Sequence, residues 1–433
     1  MESILVSFVI IIGIIVLASI INEKKLHMPQ EIAILSISFL ISLFLLIFQK
    51  TGIINLDADI INHMKDARVD NFLLECTLGF MLFAGASKIH LNKFVKNLIP
   101  ILSLSVVTTL VSSVAYGALF YLVSLLFNMN IDVWLCMLLG ALISPTDPIA
   151  ATGVLGKLGI SKSLISVIEG EALFNDGLAV ALFIFLKGMI TSGTGGNIFL
   201  IVFKEILGAV FVGFVISYLL YKLLKMTNNP ILHILISLLD VALSYVICEH
   251  FGFSGVIASV ICGMYFAYQD RKAARWKAVV DSKDLYNDFW NIVENLLNSI
   301  LFVLVGFSIL SLTVNEITFV LIPVAIILNL ICRYVGVGIS SILVGKKNIP
   351  NKYNKNEFVS LLTWCGLKGG LSLALALTTR VFLPPDIYNI IINVIVTTIL
   401  FTTIVQGLSI NKIYRIIEKN RERRYAEKSL KIV

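Results

Sequence analysis

Residues 140–180 read GALISPTDPIAATGVLGKLGISKSLISVIEGEALFNDGLAV, and they join two apolar blocks at about 131–155 and 163–189. Each block is long enough to cross a bilayer, which takes roughly 20 apolar residues. Ionisable groups inside such spans are rare, and by default they mark a transport pathway or a paired site. The carboxylates of this stretch are Asp147, Glu169, Glu171 and Asp176. The stretch therefore predicts membrane helices that carry a buried polar site.

The composition of the whole chain also indicates a membrane protein. Hydrophobic residues make up 58% of the 433 residues, charged residues make up 14%, and the mean hydropathy is +0.93. A soluble domain carries roughly 25% charged residues, so this chain has too little polar surface for water. The six cysteines lie inside apolar blocks and lack the spacing of a disulfide framework or a metal site. We expect no cofactor.

The apolar blocks predict an all-α polytopic membrane protein with thirteen transmembrane helices. They lie at about 4–22, 31–49, 70–87, 98–127, 131–155, 163–189, 198–224, 231–249, 253–268, 288–311, 316–343, 357–379 and 386–410. The first block has no basic leader and is long for the apolar part of a signal peptide, so we expect it to be an uncleaved span.

The basic residues predict the orientation of these spans. Most of the 34 Lys and Arg residues lie in alternate loops or in the tail at 411–433, and few lie in the intervening loops. Cytoplasmic loops of membrane proteins carry such an excess. We therefore expect a protein of the cell membrane with its N-terminus outside and a basic cytoplasmic tail. Because the net charge of +7 is explained by topology, we expect lipid, and not nucleic acid, around the chain.

Span five contains the run Ser144–Pro148, in which Pro145 and Pro148 are three residues apart. Each proline lacks a backbone donor and obstructs the carbonyl four residues earlier, so the carbonyls of Ala141 and Ser144 lose their helical partners. Such a break survives in a membrane only inside protein or beside a wet cavity. Free carbonyls next to Thr146 and Asp147 form a cluster of hard oxygens that suits a small cation. A simple proline kink with an N-capping Asp is the alternative.

Span six contains the run Glu169–Gly177. Glu171 and Asn175 are four residues apart and share a helix face. Asp176 lies several turns into the span, where burial disfavours a bare charge and favours a carboxylate that holds a proton or a cation. An Asp176 that is hydrogen-bonded to a neighbouring helix for structural reasons is the alternative.

Two basic residues lie in later spans. Arg333 in span eleven keeps its charge in any protein and needs a carboxylate partner, for which Glu171 is the obvious candidate; snorkelling to the interface is its alternative. Lys368 in span twelve lies within Trp364–Gly370, a run with three glycines that weaken the helix. Lys368 either balances the negative end of a broken half-helix or snorkels.

The interrupted spans have a regular arrangement. Spans four to six and eleven to thirteen form two triplets that start on opposite sides of the membrane, and the middle span of each is interrupted by Pro or Gly. This arrangement predicts a transporter built from inverted repeats, with two broken helices at its site.

At these residues the sequence resembles the monovalent cation/proton antiporters, in particular the electroneutral sodium/proton exchanger branch with its bacterial NhaP-type proteins. The matching stretches are Gly140–Pro148, Glu169–Gly177, Arg333 with Val335–Val337, and Gly366–Gly369. The resemblance implies thirteen helices, an ion-translocating core mainly at 98–189 and 316–410, and a scaffold mainly at 1–97 and 198–311 through which a homodimer forms.

The resemblance also implies roles for individual residues. The cation- and proton-binding residues would be Asp176, Asp147, Thr146 and Glu171, with Na⁺ held by Asp176, Asp147 and Thr146. The supporting residues would be Arg333, Asn175 and Lys368: Arg333 pairs with Glu171, and Asn175 holds that pair together. Asp176 would bind the cation and the proton alternately.

The same resemblance implies antiport of Na⁺ or Li⁺ against H⁺. Electrogenic relatives have Asp-Asp where this chain has Asn175-Asp176, so one exchanging carboxylate implies a one-for-one, electroneutral exchange. Relatives often have Ser where this chain has Ala172, and Arg where it has Lys368, which keeps a K⁺/H⁺ antiporter as an alternative. An intramembrane aspartyl protease is the alternative from another class, although no Gly-x-Gly-Asp motif supports it.

Overall fold

The computed structural model describes residues 2–51, 68–88, 96–192, 198–273, 280–311, 316–345, 349 and 353–430. These residues form helices and connecting loops, with no strand among them, which confirms the all-α class. In chain order the helices are α1 (Glu2–Ile21), α2 (Gln30–Lys50), α3 (Arg68–Ser87), α4 (Thr109–Leu126), α5a (Val133–Ile143), α5b (Pro148–Lys157), α6 (Lys162–Ser192), α7 (Ile198–Leu224), α8 (Pro230–His250), α9 (Gly255–Ala273), α10 (Val280–Ser308), α11 (Glu316–Val344), α12a (Lys355–Trp364), α12b (Gly370–Thr378), α13 (Pro385–Leu400) and α14 (Gly407–Leu430).

The lengths of these helices fit a multi-pass membrane protein. Within the described residues, 10 helices are long and apolar enough to cross a membrane. Shorter apolar helices cover Thr77–Ser87, Gly255–Gln269 and Gly370–Val381, which overlap the third, ninth and twelfth predicted spans. The total of thirteen spans stays a prediction. So does the orientation, because basic loop residues such as Lys93, Arg275 and Lys346 lie outside the described residues.

Local sequence explains where several helices begin. The Asp132 carboxylate accepts a hydrogen bond from the Trp134 amide at 2.8 Å and caps α5a. The Asn229 side chain accepts from the Ile231 amide at 2.9 Å and caps α8, whose first residue is Pro230. A short polar side chain before the first turn satisfies amides that have no helical partner, and proline at the first position has no amide to satisfy.

The enclosed part of the protein surrounds the broken helices. In the most apolar stretch of Val133–Gly156, 67% of the residues are buried, whereas the corresponding share in the first helix is 22%. Outer helices instead expose large apolar side chains, which on α7 include Phe203, Leu207, Phe211 and Phe214. An exposed apolar surface of this kind is suited to lipid contact. The polar breaks therefore lie inside protein, where their backbone groups find partners.

The predicted basic tail at 411–433 is helical over its described residues, 411–430. Helix α13 continues through a π-helical segment, Phe401–Gln406, into α14, which reaches Leu430. The side chains of Ile410 and Ile417 are buried. Arg424 Nη2 donates to Glu357 Oε2 of α12a at 2.7 Å. The tail is thus a helical extension of span thirteen that packs on the half-helix α12a.

Candidate cation and proton site

The interruptions of spans five and twelve meet inside the protein. Helix α5a ends at Ile143 and α5b begins at Pro148, while α12a ends at Trp364 and α12b begins at Gly370. The Asp147 amide has no helical acceptor, and it donates to the Leu367 carbonyl at 2.8 Å. One backbone hydrogen bond therefore joins the two extended segments directly. In a membrane interior, such pairing removes the penalty of unsatisfied backbone groups.

The carbonyls that the prolines free are satisfied by protein groups. The Ala141 carbonyl accepts from the Ser144 hydroxyl at 2.9 Å. The Ser144 carbonyl accepts from Asn175 Nδ2 at 3.0 Å and from Lys368 Nζ at 3.2 Å. The expectation that these carbonyls are open cation ligands is wrong, because donors from spans five, six and twelve occupy them. These two carbonyls are therefore already hydrogen-bonded to protein donors.

Lys368 is buried, with 2% of its surface exposed, so the snorkelling alternative is wrong. Its ammonium group lies at the C-terminal end of α5a, on the Ser144 carbonyl, where it opposes the negative end of that half-helix. Its backbone amide donates to Thr402 Oγ1 at 3.1 Å, and its carbonyl accepts from Thr403 Oγ1 at 3.1 Å. Lys368 thus connects the breaks of spans five and twelve to span thirteen.

Asn175 holds span six to its neighbours. Its Nδ2 donates to Thr146 Oγ1 at 3.0 Å as well as to the Ser144 carbonyl, and its Oδ1 accepts from Thr109 Oγ1 at 2.7 Å. These hydrogen bonds do not include Glu171 or Arg333. The expectation that Asn175 holds the ion pair together is therefore corrected: its amide supports the break of span five, because its hydrogen-bond partners are Ser144, Thr146 and Thr109.

Two aspartates lie at the meeting point of the breaks. Asp176 Oδ1 accepts from the Thr146 amide at 3.3 Å, and 9% of the residue is exposed. Asp147 Oδ1 accepts from the Ile149 amide at 2.8 Å and caps α5b. Asp147 Oδ2 is buried and has no hydrogen-bond partner among the described residues. Asp147 is therefore an N-cap through one oxygen and leaves the other oxygen available to a ligand.

The buried guanidinium has a carboxylate partner. Arg333 Nη2 donates to Glu171 Oε1 at 2.8 Å, and the two side chains are 6% and 3% exposed. The same nitrogen lies 3.4 Å from the Leu362 carbonyl of α12a. Because both charges are enclosed, Arg333 does not snorkel. The pair joins α6 to α11 behind the aspartates.

Gly366 lies against the guanidinium of Arg333. A Cβ atom at position 366 would lie 1.8 Å from Arg333 Nε. We expect Gly366→Ala to displace Arg333 from Glu171 and to destabilise the protein by about 1–3 kcal/mol, as overpacking of an enclosed site does. Thermal unfolding in detergent measures the effect.

Gly338→Ala on α11 is the matched control, because nothing lies within 4 Å of a Cβ atom there. Alanine is favoured over glycine inside a helix, so this variant is expected to unfold at the same temperature or higher. Equal unfolding temperatures for Gly366→Ala and the intact protein would contradict the close contact.

Sequence reasoning missed several polar residues that complete the site. Thr109 on α4 and the pair Thr402 and Thr403 were hidden inside apolar spans, where adjacent threonines were the available signal. Glu31 at the start of α2 is buried and neighbours Asp147 electrostatically. It was overlooked because it stands at the end of a predicted span, where a carboxylate needs no partner.

Known proteins are similar to this chain along most of its length. The family described as sodium/hydrogen exchanger, transmembrane, matches residues 8–415. The Na(+)/H(+) antiporter NhaP of Pseudomonas aeruginosa is 28% identical over 411 residues, which cover 93% of this chain and 95% of that protein. The Na(+)/H(+) antiporter NhaH of Halobacillus dabanensis is 32% identical over 328 residues, which cover 73% and 75%.

A solved structure shares the fold. The sodium proton antiporter MjNhaP1 from Methanocaldococcus jannaschii, at pH 8, aligns with a TM-score of 0.74 at 19% identity, over 95% of this chain and 98% of that one. The family match sets aside the intramembrane protease alternative, since the family consists of secondary transporters and not enzymes. The meeting of two interrupted helices around buried carboxylates and the match over residues 8–415 agree: the chain belongs to the transmembrane sodium/hydrogen exchanger family.

Proposed function

We propose that this chain exchanges one Na⁺, or Li⁺, for one H⁺ by alternating access, with both ions competing for Asp176. The supporting observation is the balance of charge in the enclosed site. Among the residues of spans five, six, eleven and twelve, the buried acidic side chains are Asp147, Glu171 and Asp176, and the buried basic side chains are Arg333 and Lys368; Glu31, on α2, is not counted in this balance. One negative charge is left over, and a single bound Na⁺ or a single proton cancels it.

The pairing of the charges indicates which carboxylate carries the exchange. Glu171 is neutralised directly by Arg333. Lys368 compensates one aspartate while its ammonium group is held on the Ser144 carbonyl. Asp176 accepts a hydrogen bond from the Thr146 amide and interacts electrostatically with the Asp147 carboxylate. Carboxylate and hydroxyl oxygens are the ligands that a hard cation prefers, so Asp176, Asp147 and Thr146 are the residues proposed to hold Na⁺.

The proposed movement follows the division into core and scaffold. In it, residues 98–189 and 316–410 carry the site and move as a core against residues 1–97 and 198–311. The scaffold also forms a homodimer, and the protein lies in the cell membrane with its N-terminus outside. Alternating access in such transporters is movement of one bundle against another around a fixed site.

The test uses purified protein in proteoliposomes that report internal pH. An outward or inward gradient of Na⁺, Li⁺ or K⁺ is imposed, with and without a K⁺-clamped membrane potential. We expect Na⁺ and Li⁺ to drive proton movement at a rate that does not change with the potential, because no net charge crosses in a one-for-one cycle.

Other outcomes of this test revise the proposal in defined ways. Proton movement with K⁺ alone would make the chain a K⁺/H⁺ antiporter, the alternative that the resemblance leaves open at Ala172. A rate that depends on membrane potential would show that a second carboxylate takes part, and Glu31, which neighbours Asp147, would then be replaced by Gln to find it.

A further inference from the structure

Helix α10 brings the scaffold into contact with the break of span twelve. A Cβ atom at Gly370, the first residue of α12b, would lie 2.3 Å from Leu301 Cβ. A Cβ atom at the preceding residue, Gly369, would lie 2.8 Å from Asp147 Cβ. One face of α10 is therefore separated from Asp147 by little more than the glycine backbone.

Asn298 lies one helical turn before Leu301, on the side of α10 that is turned to this contact. Only 4% of Asn298 is exposed, and its side chain interacts with the Asp147 carboxyl group. Its Nδ2 is buried with no hydrogen-bond partner among the described residues, and the same holds for Asp147 Oδ2. An unsatisfied donor and an unsatisfied acceptor thus lie on neighbouring elements inside an enclosed site.

Other acceptors on α10 do not account for the Asn298 amide. Glu294 is four residues earlier on the same helix face and is ion-paired with Lys88, but Asn298 Nδ2 forms no hydrogen bond to it. An unpaired amide in a low-dielectric interior is costly, and so is an unpaired carboxylate oxygen. One hydrogen bond between them would remove both penalties.

We propose that Asn298 is a positioning residue of the cation site: its amide donates to Asp147 Oδ2 and holds that carboxylate in place as a Na⁺ ligand. The proposal rests on the exchange function proposed above and adds a residue from the scaffold, whereas the other proposed ligands come from the core. One lone pair of Oδ2 takes the Asn298 hydrogen bond and leaves the other for the cation. Pre-orientation of a ligand raises affinity without a new contact to the ion.

The test compares Asn298→Leu with the intact protein in the same proteoliposome assay. Leucine has nearly the same shape as asparagine but no donor, so the Asp147 carboxylate loses a fixed orientation and a charge-assisted hydrogen bond. We expect the apparent KM for Na⁺ to rise about tenfold, the size expected for one hydrogen bond to a charged group, with the maximal rate within about twofold.

Two further variants separate positioning from packing. Asn298→Gln keeps the amide, and we expect it to recover part of the lost Na⁺ affinity; this variant also serves if Asn298→Leu does not fold. Asn295→Leu is the matched control, because Asn295 lies on the same helix and is exposed, and its KM is expected to match that of the intact protein.

Defined results overturn this proposal without touching the exchange function. An unchanged KM in Asn298→Leu, or a loss of maximal rate at constant KM, would assign Asn298 to packing alone. Equal KM values for the Leu and Gln variants would do the same. If the proposed exchange function is itself wrong, the intact protein in the same vesicles will show no Na⁺-driven proton movement. That result is distinct from any result for the Asn298 variants.

Discussion

Asp176→Asn is expected to reduce Na⁺-driven proton movement to the level of protein-free vesicles. Asparagine has almost the same size and still accepts from the Thr146 amide through its oxygen, so the fold should persist. It cannot carry a proton or a negative charge, however, and the enclosed site is then neutral without any cation. Both half-reactions of the exchange are lost together, because they use the same carboxylate.

The matched control for this variant is Asp240→Asn. Asp240 is a fully buried aspartate outside the site, on the scaffold helix α8, where its Oδ2 accepts from Ser217 Oγ at 2.7 Å. An amide oxygen replaces that acceptor, and the site is untouched, so transport should continue. Residual Na⁺-dependent proton flux in Asp176→Asn would place the exchanging group elsewhere. Equal loss in both variants would show that removal of any buried carboxylate disrupts the protein.

Arg333→Met is expected to destabilise the protein by about 3–5 kcal/mol, the cost of leaving one member of a buried ion pair without its partner. Methionine fills a similar volume, so the charge of Glu171 is the group left uncompensated. With 3% of the Glu171 side chain exposed, water cannot replace the guanidinium. Thermal unfolding of detergent-solubilised protein, followed by size-exclusion chromatography, measures the loss of folded material.

The double variant Glu171→Gln with Arg333→Met tests whether the uncompensated charge of Glu171 causes this loss of stability. It removes both charges, and replacing a complete buried pair by neutral groups is often neutral for stability. We expect it to unfold at a higher temperature than Arg333→Met alone. If the double variant were as unstable as the single one, the damage would come from lost packing around Leu362 and Gly366, and the ion pair would not be its source.

The ion-pair and hydrogen-bond partners inside the site show which contacts can be predicted from the sequence and which cannot. The pairing of Glu171 with Arg333 followed from charge alone, because a guanidinium in a membrane must find a carboxylate and few carboxylates are available. The partners of Asn175 did not follow, since an amide is neutral and bonds equally well to many donors and acceptors. The burial of Lys368 did not follow either, for a different reason. Its long side chain could reach the interface or the site, and only the position of the Ser144 carbonyl selects the site.

The amino-acid sequence by itself determined the membrane helices, the two interrupted spans and the residues that carry charge inside them. These features depend on local properties: the length of apolar blocks, the missing donor of proline, and the high energy of a charge in a bilayer. Tertiary structure alone decided that the Asp147 amide meets the Leu367 carbonyl, that the carbonyls of Ala141 and Ser144 are hydrogen-bonded, and that one oxygen of Asp147 has no hydrogen-bond partner among the residues that the structure describes. Those outcomes depend on which backbone and side-chain groups from distant parts of the chain arrive at one place, and hydrogen bonds form only at short range.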